Sequence, residues 1–410
     1  MQGSLSVAKH PQSRYRLVHW NIKELDSSKL AQADHPQVSA AGQILQGLEP
    51  DLLSLNEIHY DSKRAQTLGQ NNLEDFLRRW DTSKHLGYSV FAPSNTGLRA
   101  KTDSQGHYLS AMPDFRDPRQ AWIDRANFGL FPGQYASGFA ASVPLQKTLT
   151  VQDLLWHQWQ PERDLSSFTF GDVPWPKIEL FDKSLCVSWL NLDGRSLAVV
   201  CLHAVPAFAF GQDKRPNAQR NQAQLQFLQW FLLGEPALPA ATEQHLSARG
   251  IKPLAADQAF IAGGDFNAPL GDPRYPGGAV IQDMLKHPRV HQRQARIADA
   301  VLAQGPKLAP TTTFFSEGWN YGHLPTQLDY MLVSSEIDIH RLEVLYTAPD
   351  RQIHGFGDAD ADLSLQLQSL ARPGRRVIVD FIEREQVGFE PLENLSGGAH
   401  LWVIGLSELG

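Results

Sequence analysis

Six side chains capable of chemistry stand at the ends of apolar runs. Asn21 ends LVHWN, Glu57 ends LLSLNE, His203 follows LAVVCL, Asp265 and Asn267 follow FIAGG, and Asp329 opens LDYMLV. Carboxylates, amides and an imidazole are the donor types that hold hard cations and handle phosphate. Each also has an ordinary use. Asn21 can cap a turn, His203 can be a satisfied core histidine, Asp329 can cap a strand end, and a DxN pair after a strand is an Asx turn. Their number and placement set them apart, because ligand sites in α/β sheets gather at strand ends.

The runs that must position these residues read as strands: 15–22, 51–58, 87–93, 196–205, 258–267, 328–334, 375–382 and 400–406. They are rich in Val, Ile, Leu and aromatics and are bounded by turn residues. Several are apolar throughout, as in sheets covered on both faces. Leu225, Leu228 and Leu232 repeat at helical spacing, so 217–233 is predicted as a helix that stops at Gly234. A second helix is predicted over 36–48. Residues 97–127 and 150–178 are long, polar and Pro/Trp-containing, and read as surface insertions in a single α/β domain.

Composition narrows the function classes. Of 410 residues, 42% are hydrophobic, enough for a substantial core. Lys+Arg 37 against Asp+Glu 44 gives a net charge of −7, which argues against a strongly basic, non-specific nucleic-acid binder. No stretch approaches the roughly 18 apolar residues of a membrane span, so no membrane partner is expected. Cys186 and Cys201 sit in apolar runs and read as buried free thiols. The first residues lack the hydrophobic centre of a signal peptide, so the expected location is cytoplasmic.

The ordered set WN (20–21), LNE (55–57), LH (202–203), GGDFNA (263–268) and LDYMLV (328–333) resembles the endonuclease/exonuclease/phosphatase superfamily, with its deoxyribonuclease I-like fold. FPGQYASGFAASVPL (131–145) is similar to the family's Gly-Gln-Tyr-Gly stretch. HAVPAF…KRPNAQRNQAQ (203–224) resembles a bacterial subgroup. The resemblance implies an α/β four-layer sandwich: two packed mixed sheets flanked by helices. The implied layout is a tail at 1–14, one domain at 15–383 and a C-terminal extension at 384–410 carrying one extra strand. The implied chemistry is divalent-metal-dependent hydrolysis of a phosphate ester, with Mg²⁺ or Mn²⁺ as cofactor and nucleic acid among the candidate substrates. Glu57 and Asn21 would serve the metal. Asp265 would activate water, Asn267 and His203 would donate to phosphate oxygens, and Asp329 would hold a terminal histidine. Tyr135, Arg220, Asn221 and His354 are the candidate substrate contacts, Arg220 and Asn221 because they open a helix. His59 shares a strand face with Glu57 and reads as a structural histidine or a neighbour of the metal.

The chain departs from the family at its end, where Ser-Asp-His normally precedes the last core strand and no such tripeptide occurs. Three readings follow. His354, with one of Asp358, Asp360 or Asp362, fills the site from a rearranged loop. Arg372, Arg375 or Arg376 replaces the histidine as a phosphate clamp. Or the protein is a weak or inactive member that binds a phosphorylated ligand or a protein partner.

Overall fold

The computed structural model describes residues 14–81, 85–111, 113, 116–168, 170, 172–207, 216–291, 313–314, 325–326, 328–345 and 400–409. Its strands, in chain order, are β1 (Arg14–Leu25), β2 (Leu52–Ile58), β3 (Tyr88–Ala92), β4 (Ala136–Ala141), β5 (Leu145–Val151), β6 (Leu185–Leu192), β7 (Arg195–Leu202), β8 (Ala259–Asp265), β9 (Thr313–Phe314), β10 (Pro325–Thr326), β11 (Asp329–Val333), β12 (Ile337–Leu345) and β13 (His400–Leu409). The α-helices are α1 (Ser27–Ala31), α2 (Pro36–Leu48), α3 (Ser62–Leu68), α4 (Asn72–Trp80), α5 (Trp156–Trp159), α6 (Asn217–Leu233), α7 (Ala240–Ala248) and α8 (Gly277–Lys286). None of the described helices is long and apolar enough to cross a membrane.

Two mixed sheets carry the fold. One runs β12-β13-β1-β2-β4-β3 and the other β11-β8-β7-β6-β5. In each, one parallel pair (β1 with β2, β7 with β8) sits among antiparallel neighbours. Period-two alternation then divides the side chains between layers. Leu17, Leu52, Phe139 and Ala141 of the first sheet meet Cys186, Val199, Ile261 and Met331 of the second in one buried cluster. The alternate residues Val18, Trp20, Leu53 and Leu55 pack under α2 and α4, against Leu45, Phe76 and Trp80. On the far side, Val200, Phe260, Ala262 and Leu332 pack under α6 and α8, against Phe227, Phe231 and Met284. Helix, sheet, sheet, helix is therefore the order of layers, an α/β sandwich of the kind the motifs imply.

The helices end where their sequences say they should. Pro36 occupies the first turn of α2, where a missing N–H costs nothing, and α6 stops at Gly234, φ 75°. Other segments differ from expectation. The 150–178 segment is not surface decoration: Trp156, Leu154 and Ile178 are fully buried in the α6 cluster, because its tryptophans supply apolar area that the helix needs. In 97–127, by contrast, Leu98 and Tyr108 are exposed. Strands β4, β5, β6 and β12 were not among those expected. The small residues of β4 (ASGFAA) and the exposed Lys and Thr of β5 (LQKTLTV) give weak strand signals. The terminal strand, expected in an extension, lies inside the first sheet, paired with β1 on one side and β12 on the other. The strand expected at 375–382 lies outside the described residues.

Candidate metal centre and active site

The alternation that builds the core also builds the site. Leu17, His19 and Asn21 alternate along β1, Ile261, Gly263 and Asp265 along β8, and Met331 and Asp329 along β11. In each case the apolar member lies in the cluster between the sheets, and the polar one follows at the strand end. His203 continues the inward face of β7 after Val199 and Cys201. Gly264 brings two of these ends together. Its φ is 156°, and a Cβ there would meet the Leu202 carbonyl oxygen at 1.6 Å, so only glycine permits the approach. The Ala204 N–H then donates to the Asp265 carbonyl oxygen at 2.9 Å, and His203 lies beside Asp265.

Backbone irregularities aim the remaining groups. Glu57 has φ 63° at a register shift between β2 and β4. Lys23 and Glu24 have φ 57° and 53° at a bulge between β1 and β2. Asn267 has φ 52°. Non-glycine residues in the left-handed region are costly and cluster at functional sites.

Asn21 joins the two carboxylates: its side-chain Nδ2 donates to Glu57 Oε1 at 2.9 Å and to Asp265 Oδ2 at 3.2 Å. His203 Nε2 lies 3.6 Å from Asp265 Oδ2. One ligand atom each from Glu57, His203 and Asp265 falls within 4.8 Å of the others. Asp329 stands opposite Asp265 in the β8–β11 register, and its Oδ1 lies 3.9 Å from His19 Nε2. Burial, the neighbouring Asp329 and Glu57 push the Asp265 carboxyl well above the carboxylate range. Burial also raises Glu57, with Glu24 adding to the effect and the Asn21 bond opposing it. His203 is held neutral, chiefly by burial and then by Lys183. A buried acid cluster of this kind asks for a cation, and two carboxylates with one neutral imidazole are donors a divalent ion accepts.

The predicted residues divide into those the fold brings here and those it does not. Asn21, Glu57, His203, Asp265 and Asp329 converge. Asn267 is adjacent, but its N–H closes an Asx turn on Asp265 Oδ1 at 3.0 Å and its Nδ2 donates to the Ala204 carbonyl at 3.0 Å. The Tyr135 hydroxyl donates to Glu24 Oε1 at 2.7 Å. Arg220 and Asn221 are a correction. Arg220 is buried, and its guanidinium donates to Leu180 O, Ala126 O, Asn127 Oδ1 and Glu179 O at 2.6–3.2 Å. Asn221 donates to Val205 O and Phe266 O. Both side chains tie loops to the helix start instead of facing a substrate. His59 bonds to the Pro132 carbonyl region, with Nε2 at 3.2 Å, and packs on Phe131, a structural position. His354, Asp358, Asp360, Asp362 and Arg372, Arg375 and Arg376 lie outside the described residues.

Four residues escaped sequence reasoning. Glu24 has no motif; only the bulge places it. His19 looks like core, and is, but it lies beside Asp329. Lys183, next to Asp182 at the head of an apolar run, was legible as a charge pair about to be buried. His400 opens β13 and stands opposite Asn21 in the register, at the site end of the strand. Its signal was a histidine just before the apolar run LWVIGL.

Comparison with known proteins agrees with the class that this fold and site define. A profile described as the Endonuclease/Exonuclease/phosphatase family matches residues 18–364, and the chain belongs to that family. Members of the family hydrolyse phosphate esters, often with a metal. No curated protein sequence matches the chain. Among solved structures, an endonuclease/exonuclease/phosphatase from Beutenbergia cavernae is 12% identical with TM-score 0.48, covering 97% of this chain and 72% of that one. A truncated TDP2 from Caenorhabditis elegans is 12% identical with TM-score 0.40, covering 96% and 98%. Sphingomyelinase C from Streptomyces griseocarneus is 13% identical with TM-score 0.37, covering 78% and 84%.

Proposed function

We propose that this protein is a divalent-cation-dependent phosphoesterase that cleaves phosphodiesters, with Glu57, Asp265 and His203 as the cation's protein ligands and Asn21 orienting the two carboxylates. The observation that carries this reading is the convergence of those three ligand atoms within 4.8 Å, drawn from strands of both sheets. Bound Mg²⁺ or Mn²⁺ would polarise a phosphoryl oxygen and offset charge in the transition state. The chain's own groups do the rest. Asp265, as the carboxylate beside the cation, would take the proton of the attacking water as its oxygen closes on phosphorus, and the ester oxygen opposite would leave with the P–O bond pair and take up a proton from solvent. His203 is neutral, so one ring nitrogen offers a lone pair to the cation. The Asn267 amide has two donors, and the one not given to Ala204 serves a non-bridging oxygen. Tyr135, held by Glu24, lines the mouth.

Hydrolysis of bis-p-nitrophenyl phosphate, p-nitrophenyl phosphate, plasmid DNA and RNA, each with Mg²⁺ and Mn²⁺, tests the reading. Cation-dependent cleavage of a diester, lost in Asp265→Asn, is the expected result. Saturable cation binding with no turnover of any substrate would instead favour a family member that only binds a phosphorylated ligand.

A further inference from the structure

The inward face of β2 changes character along its length. Leu52 lies in the apolar cluster between the sheets. Two residues on, the Ser54 hydroxyl donates to Cys201 Sγ at 3.2 Å, and Asn56 comes two residues later. Asn56 is fully buried, and both halves of its amide are used. Its Oδ1 accepts from Ser137 Oγ on β4 at 2.9 Å, and its Nδ2 donates to the Leu202 carbonyl oxygen on β7 at 3.3 Å. The first bond stays within one sheet and the second crosses to the other.

Asn56 also occupies a particular point in the pairing. It stands opposite Asn21 of β1 and opposite Ser137 of β4, and beyond it both pairings shift register. It is the last regular residue before the strained Glu57, φ 63°. Leu202 directly precedes His203, and its carbonyl oxygen is the atom against which Gly264, one residue before Asp265, is pressed. One amide therefore joins the residue before Glu57 to the residue before His203. A satisfied buried hydrogen bond adds little net stability over apolar groups of the same shape, so stability alone gives no reason to keep an amide here. What a directed bond adds is a fixed distance between the sheets.

We propose that Asn56 is a positioning residue of the metal centre, a spacer between the sheets that sets how far Glu57 stands from His203 and Asp265 and so which size of cation the three can hold. The proposal rests on the phosphoesterase reading only in placing the cation at those three residues. Mg²⁺ demands near-octahedral ligands at about 2.0–2.1 Å, whereas Ca²⁺ accepts variable geometry at about 2.3–2.6 Å. Loss of the spacer therefore weakens Mg²⁺ more than Ca²⁺. Loss of a side chain that merely supported the fold would weaken both alike.

The test is calorimetric titration of the folded protein with Mg²⁺ alone and with Ca²⁺ alone, comparing wild type, Asn56→Leu/Ser137→Ala and Ser137→Ala. The double variant removes the amide and the hydroxyl together, so neither is left stranded by loss of the other. Losing a group that holds metal ligands in place typically costs about 10–100-fold in metal affinity, and that is the expected loss for Mg²⁺ in the double variant, with a smaller loss for Ca²⁺. Ser137→Ala keeps the bond to Leu202 and frees only one end of the amide. Its Mg²⁺-to-Ca²⁺ affinity ratio should fall by less, in the same direction, and it serves if the double variant does not fold. An unchanged ratio in the variants that fold would overturn the spacer role. Wild type that takes up neither ion, or Glu57→Gln that binds Mg²⁺ as wild type does, would instead remove the metal-centre reading itself, and the proposal with it.

Discussion

Two buried charged clusters lie within this fold, and they are built on opposite rules. Around Arg220, positive and negative groups alternate and all three guanidinium nitrogens of Arg220 donate. The guanidinium reaches four oxygens, Asp124 accepts from the N–H groups of Arg99, Ala126 and Asn127, and Glu179 takes Arg99 and Asn127. At the strand ends, three carboxylates crowd together and His203 Nδ1 has no hydrogen-bond partner among the described residues. Interiors rarely leave such groups unanswered. The first cluster pairs its acids with donors and holds loops in place. The second is held in a costly arrangement by the rest of the sandwich, and in the proposed function a bound cation would answer it.

If the contrast is sound, substitutions in the two clusters should have opposite signatures. Asp265→Asn should cut diester hydrolysis by about 10²–10⁴-fold. Its thermal midpoint should hold or rise, because a repelled carboxylate is gone; a large fall would break the distinction. Arg220→Ala should cost about 3–5 kcal/mol in urea unfolding by stranding buried acids and carbonyls, while Mn²⁺ affinity stays at the wild-type value. The clusters should also separate by pH. The folded protein binds protons at Asp265 and Glu57 more tightly than the unfolded chain does, whose carboxyls titrate near pH 4. Their contribution therefore favours the fold at low pH and is lost as pH rises from about 4 through the raised folded values. Melting temperatures from pH 5 to 8 without divalent ion should show this decline, and Mg²⁺ should flatten it; a flat cation-free profile would count against a repelled cluster. The smallest effect lies far from both clusters. Asn71 caps α4 by accepting from the Glu74 N–H, and Asn71→Ala should cost about 1 kcal/mol by thermal unfolding without altering hydrolysis.

The candidate site was largely legible because its residues end apolar runs. Strand periodicity carries Asn21, His203, Asp265 and Asp329 to one end of the sandwich, and that periodicity is written in the chain. The illegible parts depend on tertiary contact. Nothing in NIKEL announces a bulge with two left-handed residues, so Glu24 was missed. Arg220 looked like a phosphate ligand because a helix start with Arg suits an anion. The loop at 124–127 and the carbonyls of Glu179 and Leu180, far away in sequence, claim it first. The 150–178 segment differs from its reading as a surface insertion because a polar composition does not mean exposure: Trp159 packs on Phe227 and Trp230, and Trp156 on Phe170 in the same cluster.

The place of β13 bears on how the molecule comes into being. Its partner β1 is made long before β13, the last element described, yet the two are hydrogen-bonded neighbours over Arg14–Asn21. At the usual pace of a ribosome, roughly 5–20 residues per second, the wait between them is on the order of tens of seconds. Throughout that interval one edge of β1 lacks its permanent neighbour, and unpaired edges invite other chains. A nascent chain of this protein is therefore a natural client for a holding chaperone until β13 has been made.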